Sequence, residues 1–156
     1  MSPKSIEERL TVRGFMLPDV TEILAAEGLE SINDGNRITT SFVDHTVFFQ
    51  TKDDFLALDS VWRGMVPIAK TTRLLTLCNE WNTMHDAPTL QFQELGSDSL
   101  ELQCRRSLRV VDGVSVNQLG AFVLTSLDAI MACWNYVAGE LPYYMNWSLP
   151  EIDGVS

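Results

Sequence analysis

Leu100-Glu101-Leu102-Gln103-Cys104-Arg105-Arg106-Ser107-Leu108-Arg109-Val110 alternates apolar and polar side chains almost without a break. A period of two puts Leu100, Leu102, Cys104, Leu108 and Val110 on one face and Glu101, Gln103, Arg105, Ser107 and Arg109 on the other. Such a strand is buried on one side and wet on the other, which is the mark of an antiparallel sheet covered by helices on one face only. Arg106 alone interrupts the apolar side. Its expected place is a sheet margin, with the stem on apolar surface and the guanidinium in water, and anion binding is the alternative role.

Downstream of this strand, Asp112-Gly113 turns the chain, and Ser115 with Gln118 three residues on forms a capping box. Val116, Leu119, Val123, Leu127, Ile130, Trp134, Val137 and Leu141 then recur every three or four residues, so a helix is expected over 116–140. At 1.5 Å per residue it would be about 37 Å long. Phe122, Leu124, Met131, Cys133 and Tyr136 widen its apolar stripe beyond what one small sheet covers, which calls for a partner or a docked tail.

Upstream, Gly96-Ser97-Asp98 joins the strand to another over 89–95, with Leu90 and Phe92 on one face. Before it, Ile68, Leu74, Leu77, Cys78, Trp81 and Met84 predict a helix over 67–85 that ends ahead of Pro88. Three β-rich runs, 36–43, 46–51 and 55–62, are separated by Asp44-His45 and Lys52-Asp53-Asp54 and read as an antiparallel meander, with Gly64 and Pro67 breaking the extended pattern. Pro18 opens a first helix over 18–27 that carries Val20, Ile23 and Leu24 on one face, and Gly28 closes it in a left-handed conformation. The order is α-β-β-β-α-β-β-α, an α+β domain with an antiparallel sheet and helices packed on one face. A single domain spans 1–156, with a core at about 18–141, a lead-in over 1–16 and an aromatic tail over 142–156.

Eleven basic against twenty-one acidic residues give a net charge of −10, which disfavours nucleic acid and anionic membrane surfaces as partners. No run approaches the roughly 20 apolar residues of a membrane span, and residues 1–10 have no apolar segment of the signal-peptide kind. Asn146-Trp147-Ser148 is read as a chance glycosylation sequon. Cys78, Cys104 and Cys133 lie far apart in apolar patterns, so free buried thiols in a reducing, cytoplasmic setting are expected.

The candidates for chemistry are few. His45 falls at a hairpin tip, where an exposed ring is ordinary, and His85 ends a helix, where a cation suits the dipole. The acidic residues show no calcium-loop spacing, and no dinucleotide, phosphate-loop or nucleophile-elbow pattern occurs. No cofactor, metal or catalytic residue is assigned. Trp81 continues the Leu74, Leu77 and Cys78 stripe and is read as core; Asn79 and Asn82, poor helix formers three apart, are read as bonding neighbouring backbone between the helix and the strand at 89–95.

Leu74-Leu75-Thr76-Leu77-Cys78-Asn79-Glu80-Trp81-Asn82 resembles the helix signature of the YbjN-like family, a leucine-rich turn followed by Asn-x-Trp-Asn. Val61-Trp62-Arg63 and the run from Gly113-Val114-Ser115 through Gln118-Leu119 match it as well, so that the resemblance covers roughly residues 18–141. Members of that family carry the label of bacterial sensory transduction regulators. The resemblance implies the fold of type III secretion chaperones, small acidic proteins that commonly dimerise and bind extended segments of other proteins, and it brings no catalytic residues. The expected function is a non-catalytic protein-binding module acting as a homodimer on a protein partner. Its candidate contacts are Phe122, Leu124, Met131, Tyr136, Tyr143, Tyr144 and Trp147. A small-ligand sensor or an enzyme with a pocket between sheet and helices is the alternative, and a purely structural subunit is a third.

Overall fold

A computed structural model describes residues 6–145. A helical turn, α1 (Ile6–Leu10), precedes α2 (Pro18–Ala26), the strands β1 (Ile32–Asn33), β2 (Ile38–Ser41), β3 (His45–Lys52) and β4 (Phe55–Pro67), then α3 (Thr71–Met84), β5 (Thr89–Leu95), β6 (Ser99–Arg109) and α4 (Val116–Glu140). The six strands form one sheet in the order β1-β2-β3-β4-β6-β5, antiparallel at every pairing. The expected α+β class and order of elements stand, with α1 and the two-residue β1 added.

Alternation builds the two faces. Val47 and Phe49, Leu56 and Leu58, and Leu100, Leu102 and Cys104 point to the covered side, where they meet Val20 and Leu24 of α2, Leu74, Leu77 and Trp81 of α3, and Val123, Ile130, Trp134 and Val137 of α4 in one core. Phe48, Asp59 and Arg105, which are register partners across β3, β4 and β6, point to the open side. There Asp59 pairs with Arg105, and the Arg37 guanidinium lies 4.4 Å over the Phe48 ring.

Local chemistry sets the boundaries. Gly28, at φ +74°, closes α2: its N–H donates to the Ala25 carbonyl and that of Leu29 to the Leu24 carbonyl, which satisfies the helix end and folds Leu29 back. The run at 36–43 shrinks to Ile38–Ser41 because the Asp34 carboxylate accepts from the N–H groups of Asn36 and Arg37, holding them in the turn. At α4 the expected capping box is present, with Gln118 N–H donating to Ser115 Oγ at 3.1 Å and Ser115 N–H to Gln118 Oε1 at 2.8 Å.

Two expectations are corrected. Gly64 and Pro67 do not end the third long strand: β4 runs through both, absorbing a register shift between Val61 and Met65, and α3 starts only at Thr71. A glycine is required at the bulge because a Cβ on Gly64 would lie 2.1 Å from the Trp62 ring. The second correction concerns α4, which is long and apolar enough, by length and composition alone, to cross a bilayer. Its buried Val123, Ile130, Trp134 and Val137 pack in the domain core, as a central helix of a globular fold does.

Candidate functional site

α4 carries two apolar stripes. One, through Val123, Ile130, Trp134 and Val137, is buried on the sheet; the other, Leu124, Leu127 and Met131, lies around the helix from it at spacings of three and four. This second stripe floors a groove of about 360 Å³ whose remaining walls are Glu27 and Leu29 after α2, Phe42 after β2, and Asp128 on α4. Met131 is 47% exposed there.

Each wall has a local cause. The closure of α2 at Gly28 sets Leu29 against the core and leaves Glu27, the last cap of that helix, exposed at the rim. Phe42 is fixed through the β2–β3 corner. Its ring stacks on His45, with centroids 4.7 Å apart and planes at 15°. Its N–H donates to the His45 carbonyl at 2.8 Å, and its own carbonyl accepts from Arg63 Nη2 at 2.7 Å and Nε at 3.2 Å. His45, expected to be exposed at a hairpin tip, is 2% exposed and lies 6.5 Å from the Trp134 ring. Its Nδ1 is 2.6 Å from Asp44 Oδ1. Burial lowers the His45 pKa, the Asp44 bond opposes that, and the charge of Arg63 adds to the lowering. The neutral ring then donates Nδ1–H to Asp44.

Arg106 is also displaced from its expected role. Its Nη1 donates to Thr125 Oγ1 and Ser126 Oγ, both at 2.9 Å, and the guanidinium sits 5.1 Å over the Phe122 ring. It braces β6 against α4, fixing the helix that floors the groove, where a head group in water was expected.

The candidate contacts separate. Leu124 and Met131 come together in the groove. Phe122 is withdrawn from the candidate surface: it is 7% exposed, turned inward under Arg106. Tyr136 lies elsewhere on α4, donating to Glu80 Oε2 at 3.1 Å and packing 5.4 Å from Trp81. Burial, and then the Glu80 carboxylate, raise its pKa. Tyr144 packs on the core, Tyr143 is 92% exposed, and Trp147 falls outside the described residues. Leu29, Phe42, Leu127 and the acidic pair Glu27 and Asp128 complete the groove from positions the sequence reading did not join to it. The closing Gly28 and the Leu124–Leu127–Met131 spacing were the available signals.

Other polar residues are absorbed by the fold. Trp81 is buried, donates Nε1–H to the Pro88 carbonyl at 2.9 Å and stacks on His85. Asn82 donates Nδ2–H to the Leu90 carbonyl and accepts the Leu90 N–H, both at 2.8 Å, in the way a neighbouring strand would; Asn79, expected to bond neighbouring backbone as well, is instead exposed on the outer face of α3. The three cysteines are free and buried; burial pushes Cys78 up to about 11, and burial with the neighbouring Cys133 pushes Cys104 up as well. Among the described residues no group of three or more His, Cys, Asp or Glu side chains is placed to hold a metal ion. The open sheet face has a broader hollow of about 460 Å³ lined by Phe48, Val61, Met65 and Leu95 together with the polar Thr46, Arg63 and Glu101. The groove lining, by contrast, holds two carboxylates among five apolar side chains and no imidazole, thiol or hydroxyl, so it is equipped to bind.

A helix, an antiparallel meander, a second helix, a hairpin and a long capped helix in this order make an α+β fold of the YbjN-like kind. The solved structure of YbjN from E. coli, a protein described as a candidate transcription regulator, matches 83% of this chain and 97% of its own with a TM-score of 0.70 at 15% identity. An uncharacterised protein from Methanothermobacter thermautotrophicus matches 80% of this chain and 96% of its own, at 12% identity and a TM-score of 0.49. At 15% identity the likeness to YbjN is one of fold. No protein-family model and no curated protein matches the chain.

Proposed function

We propose that the protein is a non-catalytic regulatory module that holds a segment of another protein in the groove between α2, the β2–β3 corner and α4. The observation that carries this reading is the Leu124–Leu127–Met131 stripe: beside the face of α4 that fills the core, Met131 is exposed and Leu124 and Leu127 are half-buried, an apolar row that borders solvent beside an acidic rim. The regulatory description of YbjN supports it at the level of shared fold. The free, buried thiols accord with a reducing cytoplasm. A homodimer is part of the proposal only through the same groove, because Phe122 and Tyr136 already have intramolecular partners.

The test is capture from the native cell with the wild-type chain and with Met131→Glu and Leu124→Glu, after circular dichroism has shown that both variants fold. A protein retained by the wild type and lost by both variants supports the groove. An identical captured set from all three would place binding elsewhere. Sedimentation of the purified chain separates self-association from capture of a different protein.

A further inference from the structure

We infer that the groove is built for a basic amphipathic helix, one that presents leucine-like side chains at helical spacing with lysine or arginine on its flanks. This rests on the reading of the groove as a protein-binding site and adds the charge and shape of the occupant. Three observations converge on it. First, Glu27 and Asp128 stand on the rim, contributed by different helices, and neither takes part in any of the five ion pairs found among the described residues. Second, Glu27 caps the C-terminal end of α2, where the helix dipole favours a cation, and the last turn of α2 has no basic residue. Third, Leu124, Leu127 and Met131 present a straight apolar row of about two helical turns, roughly 10 Å, which matches the i, i+3, i+7 anchors of a helix lying in a groove.

Met131 supplies adaptability, since a thioether on three rotatable bonds re-packs around differing aliphatic anchors. Leu29 and Phe42 close the far side and meet the apolar anchors. The net charge of −10 draws a cationic segment in at long range, and the two rim carboxylates fix its register at short range. An acidic segment meets repulsion at both distances.

The test uses the full chain and three synthetic helical peptides of about 18 residues that share one leucine pattern and carry lysine, glutamine or glutamate on the polar face. Binding is read by fluorescence anisotropy at about 50 mM and about 300 mM salt. The lysine peptide should bind at least ~10-fold more tightly than the glutamine peptide at low salt, the glutamate peptide should bind most weakly, and salt should narrow the differences. In the double variant Glu27→Lys with Asp128→Lys, both at exposed positions, the order of lysine and glutamate peptides should reverse, and Met131→Glu should weaken the glutamine peptide. Equal affinity for lysine and glutamine peptides, with both lost in Met131→Glu, would overturn the charge inference and leave the groove standing. Lysine-peptide binding indifferent to all three substitutions, or no binding by any peptide, would overturn the groove as well.

Discussion

Removing the Asn82 side chain, by Asn82→Ala, should destabilise the domain by about 2–3 kcal/mol. The amide makes two hydrogen bonds of 2.8 Å to the backbone N–H and C=O of Leu90, a residue 1% exposed. Each such bond is worth about 1 kcal/mol net, and leaving a buried backbone group unpaired costs a further ~1–3 kcal/mol. The full penalty does not apply at both groups, because Asn82 is itself exposed and water reaches part of the vacated space. For a domain of this size the loss corresponds to a Tm lower by roughly 5–10 °C. Urea unfolding followed by circular dichroism measures it, with Asn79→Ala, at an exposed position on the same helix, expected within about 0.5 kcal/mol of wild type. Asn82→Asp keeps an acceptor for the Leu90 N–H but sets a carboxylate against its carbonyl, so its stability should recover towards acid pH, where the protonated acid donates again. If Asn82→Ala unfolds at the same urea concentration as Asn79→Ala, the clamp between α3 and β5 does not hold the sheet edge and the reasoning fails.

His45 has a folded pKa below the unfolded value of 6.5. Above pH ~6.5 it contributes no pH dependence; as pH falls through that value the unfolded chain takes up a proton that the fold resists, and stability drops. His45→Gln should flatten the stability difference between pH ~6.5 and ~5.5, and an unchanged slope in urea titrations would contradict the buried neutral ring. Gly64→Ala should lower stability by about 1–3 kcal/mol, since the added methyl collides with the Trp62 ring; a wild-type Tm would show that the bulge is not as packed as the 2.1 Å approach requires. Native protein should resist a thiol-alkylating reagent at neutral pH and take up three equivalents once denatured, as mass spectrometry reads directly; rapid native labelling would mean that the buried thiols are accessible.

Most of the fold was legible because its elements obey one period each. The alternation at 100–110 gave β6, the three-and-four spacing after Ser115 gave α4, and of the two poor helix formers three apart that were read as backbone partners, Asn82 is one and Asn79 is not. Gly64 misled because a glycine near a proline marks a local break, whereas pairing with β6, which resumes at Met65, carries β4 past it and turns the glycine into clearance for Trp62. His45 misled for a similar reason: a short hairpin corner is a surface feature until Phe42 stacks on it and Arg63 clamps the backbone. Half of the groove was visible as Leu124 and Met131 lying off the main stripe of α4. The other half was not, because Glu27, Leu29 and Phe42 reach it from elements some hundred residues away, and no single-helix pattern shows what a neighbouring turn contributes. Phe122 sits on the same helix with the same hydrophobicity, and only the reach of Arg106 from β6 assigns it to the interior.

The most direct test of the groove is hydrogen–deuterium exchange on the full chain, free and saturated with whichever binding protein or lysine-bearing peptide is in hand. Protection centred on the segments around Glu27–Leu29, Phe42 and Leu124–Met131, absent in Met131→Glu, is the expected result. Protection confined to the open sheet face around Phe48 and Arg105, with the groove segments exchanging as in the free chain, would contradict it.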